Sequence, residues 1–597
     1  MSEFKQTSFS GGFNLLLDDS RLPVSVKYKE GNSPFDITYD QYRLGNNIRT
    51  RFDVGQAIQS SVEDKAAPSG LKQAILTFGN YIILFVAGQA WYRLNTSTGW
   101  TRILKFSMSR TAPRYWTINV PLATTNYGRL STASSDTPTV PQANLPIKQV
   151  NQITGTFGTL SGLLVQDGIN QPQFIYLDQN NNIQCRTTQI YNEWSYDPTG
   201  VNDKREYVPI GTFMEIYNGV LFIVSADFNI IYRSVSGRPL DFVVNVDLNG
   251  NKGGDATTTA YSVGIGGITA LRTMPGNSLF VAAGGATAYS LTFNQTPNAP
   301  TLFGEYTFNR QVLFSSNCLT ERGIVDIPGP SSNPNAGDSV FIDANGLRSF
   351  NAIQQQQNEG RNSIFSSTVQ GLFKKVINST TINKTLGSGW VSAALFDNYA
   401  IFSANTIYGN TLIIYDTING VYESIDTQQL GNHAVKQFAS ITVSTLALYA
   451  ITDDDKVYQL YADESNFDSA LIRLGAVCTQ DPKREIKIIS VRAILSNITA
   501  DCSVTCTIFT NNRLDSSATT SIKYAAPVNV YAGQPIGDDV GTQTTSVMFS
   551  FPNAAQGWKA FAVLQWTAGA SLTSTLITTE ELTPMQPLLA QAVVKQK

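Results

Sequence analysis

His433 is the only histidine in 597 residues. Any Ser-His-Asp or Cys-His nucleophilic machine would have to be built on it. It stands in the polar stretch QQLGNHAVKQ, with no Gly-x-Ser-x-Gly elbow nearby, and reads as an ordinary loop histidine. A single imidazole also rules out a multi-histidine metal site. Paired carboxylates could do glycosidase chemistry. The visible runs are Asp18-Asp19 and Asp453-Asp454-Asp455. The second falls in a hairpin turn, where Asp satisfies local backbone donors, and the repeated Ser-x-Asp-x-Gly-x-Thr-Trp boxes of sialidases are missing. DLNGNKGGD, Asp247 to Asp255, has Lys252 where a calcium loop needs glycine and Thr258 where it needs glutamate. It reads as a surface loop. Cys502 and Cys506 share one face of a strand but stand about 13 Å apart along it, too far for one tetrahedral ion. Neither a phosphate-cradling GxxxxGK[ST] nor a GxGxxG after a strand is found. The sequence therefore predicts no enzyme, no cofactor and no metal. One basic-aromatic cluster remains: Arg43, Arg49 and Arg51 beside Tyr39 and Tyr42. It reads as surface arginines on an arm that hold a neighbouring protein rather than DNA.

Composition narrows the class. Charged residues make up 15% of the chain, against roughly 25% in ordinary soluble domains. Such a polar, weakly charged surface suits a protein that buries much of itself against neighbours. The net charge of −3 gives no bulk attraction to nucleic acid or anionic membrane. Five cysteines, Cys185, Cys318, Cys478, Cys502 and Cys506, are sparse and mostly inside apolar runs, which predicts buried thiols from a reducing compartment. The N-terminus lacks the pattern of a signal peptide, and no run of about 18 apolar residues appears; no membrane insertion is expected.

The elements that would carry these residues are hairpins. NTLIIYDTINGVYESID, Asn410 to Asp426, is an apolar strand, a turn with Asn419-Gly420, and a second strand with an aromatic. The pattern recurs at Asn80–Leu94, Leu160–Leu177, Leu221–Ser234, Ser278–Thr292, Ser339–Phe350 and Leu448–Tyr461. The middle members are spaced by about 60 residues, one four-stranded blade with generous loops. A blade cannot bury both faces alone, and packing blades round an axis does so. The prediction is an all-β chain: a propeller of six to eight blades over 71–464, an extended N-terminal arm and interface segment over 1–70, an antiparallel β-sandwich over 465–583, and a short tail over 584–597. Apolar residues at Ile364, Phe365, Val369, Leu372, Phe373 and Val376 have helical spacing and predict one helix within Arg361–Thr380.

Three segments stand in order across the middle: Ile230 to Thr292, then FGEYTFNRQVLFSSNCLTERGIVDI from Phe303 to Ile327 with the SVFIDANGLRSF hairpin after it, then the pair IIYDTINGVYES and AITDDDKVYQL. This order, with the opening FSGGFNLLLDDSRLP, resembles the β-propeller tail nozzle or packaged-DNA-stabilising hub proteins of short-tailed bacteriophages. The resemblance runs from about Phe9 to Tyr461 and is one of pattern. It implies a structural virion protein in a homo-oligomeric ring, a hexamer being favoured. That ring lies below portal and adaptor proteins, bears tail fibre or needle proteins, and retains packaged DNA and conducts it at ejection. It implies assembly in the host cytoplasm and only weak, non-specific contact with DNA. It brings no catalytic residues. The rival readings are a receptor-binding or fibre-attachment tail protein and, less favoured, a propeller glycosidase.

Overall fold

The computed structural model describes residues 2–12, 42–121, 129–130, 161–177, 182–186, 190–191, 208–234, 267–274, 278–283, 287–295, 306–314, 318–329, 337–343, 346–351, 365–373, 390–441, 446–478, 485–524 and 544–582. These residues are overwhelmingly β. Seven antiparallel sheets follow one another along the chain, and each of the seven hairpins legible in the sequence forms a strand pair in one of them. Sheet 1 is Lys72–Phe78, Tyr81–Val86, Gln89–Leu94 and Thr101–Arg102; sheet 2 is Trp116–Pro121, Ser161–Gln166, Gln173–Leu177 and Ile183–Arg186. Sheet 3 is Gly211–Tyr217, Val220–Ser225 and Ile231–Arg233, and sheet 4 is Ile268–Met274, Ser278–Ala283, Thr287–Gln295 and Tyr306–Phe314. Sheet 5 is Ile324–Ile327, Asp338–Asp343 and Gly346–Ser349; sheet 6 is Ser392–Phe396, Tyr399–Thr406, Gly409–Asp416 and Val421–Asp426. Sheet 7 is Val435–Ile441, Ala447–Thr452 and Val457–Phe467, completed by Gln59–Glu63 from the start of the chain.

The strands explain why these sheets need one another. Side chains alternate between faces, and here both faces are apolar. In sheet 1, Ile82, Leu84 and Val86 pack with Ile441, Tyr449 and Ile451 of sheet 7. Their neighbours Ile83 and Phe85 pack with Leu163, Val165 and Ile175 of sheet 2. Further cores join sheets 2, 3 and 4, 4 and 5, 5 and 6, and 6 and 7. The first strands follow the same order: those of sheets 2 and 3, 3 and 4, 5 and 6, 6 and 7, and 7 and 1 lie against each other, and Tyr115 at the head of sheet 2 donates its backbone N–H to Gln73 in sheet 1.

The arm is built into this framework. Leu44–Asn46 runs parallel to Val421–Asp426 and antiparallel to Ala470–Arg473. It thereby joins sheet 6 to Lys559–Trp566, Cys502–Thr510 and Arg513–Ile522 in one ten-stranded sheet. A second C-terminal sheet holds Glu485–Ser496, Ser571–Leu582 and Thr545–Ser550, with Ser2–Gln6, Ile48–Arg49 and Gly55–Ala57 from the arm. Val491, Ala493 and Leu495 of the second sheet share a core with Val504, Cys506, Ile508 and Trp566 of the first.

Two expectations need correction. The boundary at 464/465 falls inside the strand Val457–Phe467, which continues past the last hairpin, and Asp468 is buried. Within Arg361–Thr380, the described residues form a 3-10 helix, Ser367–Phe373, with Val369, Leu372 and Phe373 buried. Spacing of three suits a 3-10 turn as well as an α-helix. Lys374 and Lys375 lie outside the described residues, as do Asp18-Asp19 and the Asp247–Asp255 loop.

Close packing of the arm predicts a substitution effect. Gly45 passes so near sheet 6 that a Cβ there would stand 2.5 Å from the Glu423 carbonyl oxygen and 2.8 Å from the Tyr42 ring. Gly45→Ala should cost about 1–3 kcal/mol, in the range of overpacking, measured by denaturant unfolding of the full chain. Unchanged stability would mean that the arm can lift off sheet 6 at no cost.

Candidate functional site

The three arm arginines are not surface side chains, which corrects the reading of them as exposed. Arg43 is 4% exposed, and its backbone N–H donates to Arg473. Arg49 forms a two-pronged bond to Asp426, Nη1 to Oδ1 at 3.2 Å and Nη2 to Oδ2 at 2.8 Å. Its guanidinium lies over the rings of Tyr461 and Tyr399, 4.9 and 5.2 Å from their centres. Arg51 donates from Nε to Asp416 at 3.1 Å and stacks 3.7 Å above Tyr399. Burial alone would push Arg49 down, but Asp426, Tyr461 and Glu423 together outweigh it and hold the group well above its ordinary value. Asp426 also accepts from Tyr461 and Ser424. The arm is thus clasped to sheet 6 by charge pairs whose carboxylates are fully buried, which tie the chain to itself.

One group in this clasp is only partly compensated. Neither carboxylate oxygen of buried Glu423 has a hydrogen-bond donor, although the Thr50 backbone amide acts on it. Burial raises its pKa to about 7, Arg49 and Arg51 pull it down, and Asp416 pushes it up. Beside the clasp a cavity of ≈ 500 Å³ opens between Arg49, Arg51, Phe52, Tyr399, Tyr461 and Phe467.

His433 sits in a loop at the edge of sheet 7. Its Nδ1 is 2.7 Å from Asp453 and its Nε2 3.6 Å from Asp454. The three could gather round an ion by distance, yet Lys456 already stands 3.4 Å from the same Asp454 oxygen and Thr452 donates to its other one. All are at least partly exposed, and among the described residues no hydroxyl or thiol nucleophile bonds to the imidazole. Cys185, Cys318, Cys502 and Cys506 are free and buried, and burial pushes Cys185 and Cys506 up to about 12. Thiols held protonated in this way are poor nucleophiles.

The position that sequence reasoning missed is where the first strands converge. A cavity of ≈ 230 Å³ there is lined by Trp116, Phe213, Leu271, Ile324, Ser392 and Gln437, one residue from each of sheets 2 to 7. Arg322, in the 3-10 turn Glu321–Gly323 that precedes sheet 5, reaches across it. Its Nη1 donates to Lys436 O at 3.0 Å, and its Nη2 to Tyr115 O at 2.9 Å and Gln73 O at 3.3 Å. One guanidinium therefore ties sheets 7, 2 and 1 to sheet 5. Burial lowers its pKa to about 9, so it stays charged at neutral pH. Buried Arg114 is ion-paired with Glu321 and covers the rings of Trp116 and Phe213 at 4.9 and 5.6 Å. The only sequence signal was a Glu-Arg-Gly triplet between apolar runs, and nothing in its spacing points to an axis.

No family model matches the chain, and no curated protein does. Among solved structures, it is similar at 8% identity and a TM-score of 0.30 to YCF48 bound to D1 peptide, over 68% of this chain and 96% of that one. It is similar at 9% and 0.28 to the Myceliophteria thermophila Cps50 (Swd1) β-propeller domain, over 68% and 99%. For the N-terminal domain of Nup159 the values are 9% and 0.29, over 70% and 98%.

Proposed function

We propose that the seven sheets are the blades of one propeller, that the C-terminal pair of sheets is a β-sandwich welded to it, and that the chain is a structural, non-enzymatic subunit of a phage tail nozzle or hub. The observation that carries this reading is the ten-stranded sheet, in which blade 6, the arm strand Leu44–Asn46 and the C-terminal strands form one hydrogen-bonded surface. Such a joint suppresses the hinge motion expected between domains with separate cores and suits a stiff wall piece. The cyclic order of the interblade cores supports the blade count, and the order of segments resembling nozzle proteins supports the phage setting. The axis of each propeller is crossed by Arg322, so DNA would pass through the lumen of a ring of subunits rather than through a propeller. With 42 basic and 45 acidic residues, the chain has little surplus charge for gripping phosphates, which suits a conduit along which the duplex slides.

Mass photometry and negative-stain imaging of the purified chain test the reading. The expected result is a closed ring, with six copies favoured, and little DNA binding near physiological salt. A monomer at every concentration would sink it; a trimer would favour the fibre-attachment alternative.

A further inference from the structure

We propose that the cavity lined by the first strands of sheets 2 to 7 binds one small oxyanion, a carboxylate or a phosphate, held by Arg322 and Arg272, which both line it. The charges on the wall do not balance. Glu321 is committed to Arg114 and accepts from Thr320 as well. Arg272 is paired with Asp326 at 2.6 Å but remains 40% exposed and lines the cavity. Arg322 has three carbonyl oxygens as partners and, among the described residues, no carboxylate; no hydrogen bond occupies its Nε. A guanidinium set partly into protein without a counter-charge is costly. An anion entering the cavity offsets that cost and can accept a charge-assisted bond from Nε.

The cavity fits such a ligand. Its ≈ 230 Å³ holds several waters at about 30 Å³ each, hence one phosphate with part of its shell or one acidic side chain. Thr117, Ser392 and Gln437, which also line the cavity, offer neutral donors. The aromatic and aliphatic remainder, Trp116, Phe213, Leu271 and Phe438, lowers the local dielectric and strengthens the ion pair. The ligand has two sources of one chemistry: a free anion, or an acidic side chain inserted by a partner protein. The inference needs only the convergence of the strands and stands apart from ring assembly in a phage tail.

Isothermal titration of the full chain with sodium phosphate and with a short peptide bearing a single glutamate, in chloride buffer of matched ionic strength, tests it. Saturable binding of at least one probe, at one site per chain, is expected. Arg322→Lys and Arg272→Gln should each weaken it by about ten-fold, the loss of one charge-assisted contact. Arg272→Gln alters a half-exposed side chain and serves as the deciding variant if Arg322→Lys does not fold. Phosphate binding alone assigns the site to a free anion; peptide binding assigns it to a partner's acidic side chain. No saturable binding of either probe, or binding equally tight in Arg272→Gln, overturns the proposal and leaves Arg322 as a purely structural tie.

Discussion

Replacing Arg49 with Met should lower the stability of the whole chain by about 3–5 kcal/mol, the cost of leaving one member of a buried ion pair without its partner. The Asp426 side chain is fully inaccessible and the Arg49 side chain 13% exposed, so the pair is held largely out of water. Tyr461 and Ser424 would still donate to Asp426, but two neutral donors do not replace a bidentate guanidinium. The same change uncovers the faces of Tyr399 and Tyr461, which Arg49 overlies. Arg49→Lys should fall between, because an ammonium keeps the charge but cannot form the fork. The double variant Arg49→Met, Asp426→Asn should recover much of the loss, since removing both charges removes the desolvation cost as well. Denaturant unfolding followed by tryptophan fluorescence measures all three. A loss below about 1 kcal/mol for Arg49→Met, the level of an exposed pair, would mean that the arm is not clasped to sheet 6.

That clasp marks where sequence reading stopped. The seven hairpins were legible because each carries its own signal: apolar runs of strand length on both sides of a turn of Gly, Asn or Asp. Asn419-Gly420 lies in such a turn, with Gly420 at φ +70°, although the loop between Asp416 and Val421 has four residues rather than two. The arm offers no comparable signal. Its strands Leu44–Asn46, Ile48–Arg49 and Gly55–Ala57 are two or three residues long, too short to show a period. Ile48–Arg49 and Gly55–Ala57 pair with each other, but the partners that tie the arm to the rest of the chain lie hundreds of positions away, at Ile425 and Leu572. Arg49 and Arg51 look solvated in sequence because Asp416 and Asp426 are not near them along the chain. The same blindness hid Arg322, whose role depends on three carbonyls from three different sheets. Burial of the cysteines, by contrast, followed from their apolar neighbours, and Cys185, Cys318, Cys502 and Cys506 are buried.

Stability should fall as pH rises from about 4.5 to about 7, and Glu423→Gln should abolish that part of the fall. Glu423 has an ordinary value of 4.5 when solvated and about 7 in the fold, so the fold favours its protonated form. The sign follows: its contribution to stability is fully present below about 4.5 and is lost as pH climbs through about 7. Above that, the buried carboxylate must be ionised with no well-formed hydrogen bond to either oxygen. The span corresponds to about 3 kcal/mol. Arg49 and Arg51 oppose the shift, Asp416 reinforces it, and Tyr42 and Tyr399 feel the same charge. Glutamine keeps the shape and stays neutral at every pH. The variant should therefore match the wild type near pH 4 and exceed it by up to about 3 kcal/mol at pH 8. Asp468, whose value burial also raises, bends both curves alike, so the difference between wild type and variant isolates Glu423. A difference that stays constant from pH 4 to pH 8 would show that Glu423 is ionised in the fold at an ordinary pH, and hence that a donor or water reaches it. A difference that grows with pH would place a proton-sensitive wedge between the arm and sheet 6, at the joint where the arm links sheet 6 to the C-terminal strands.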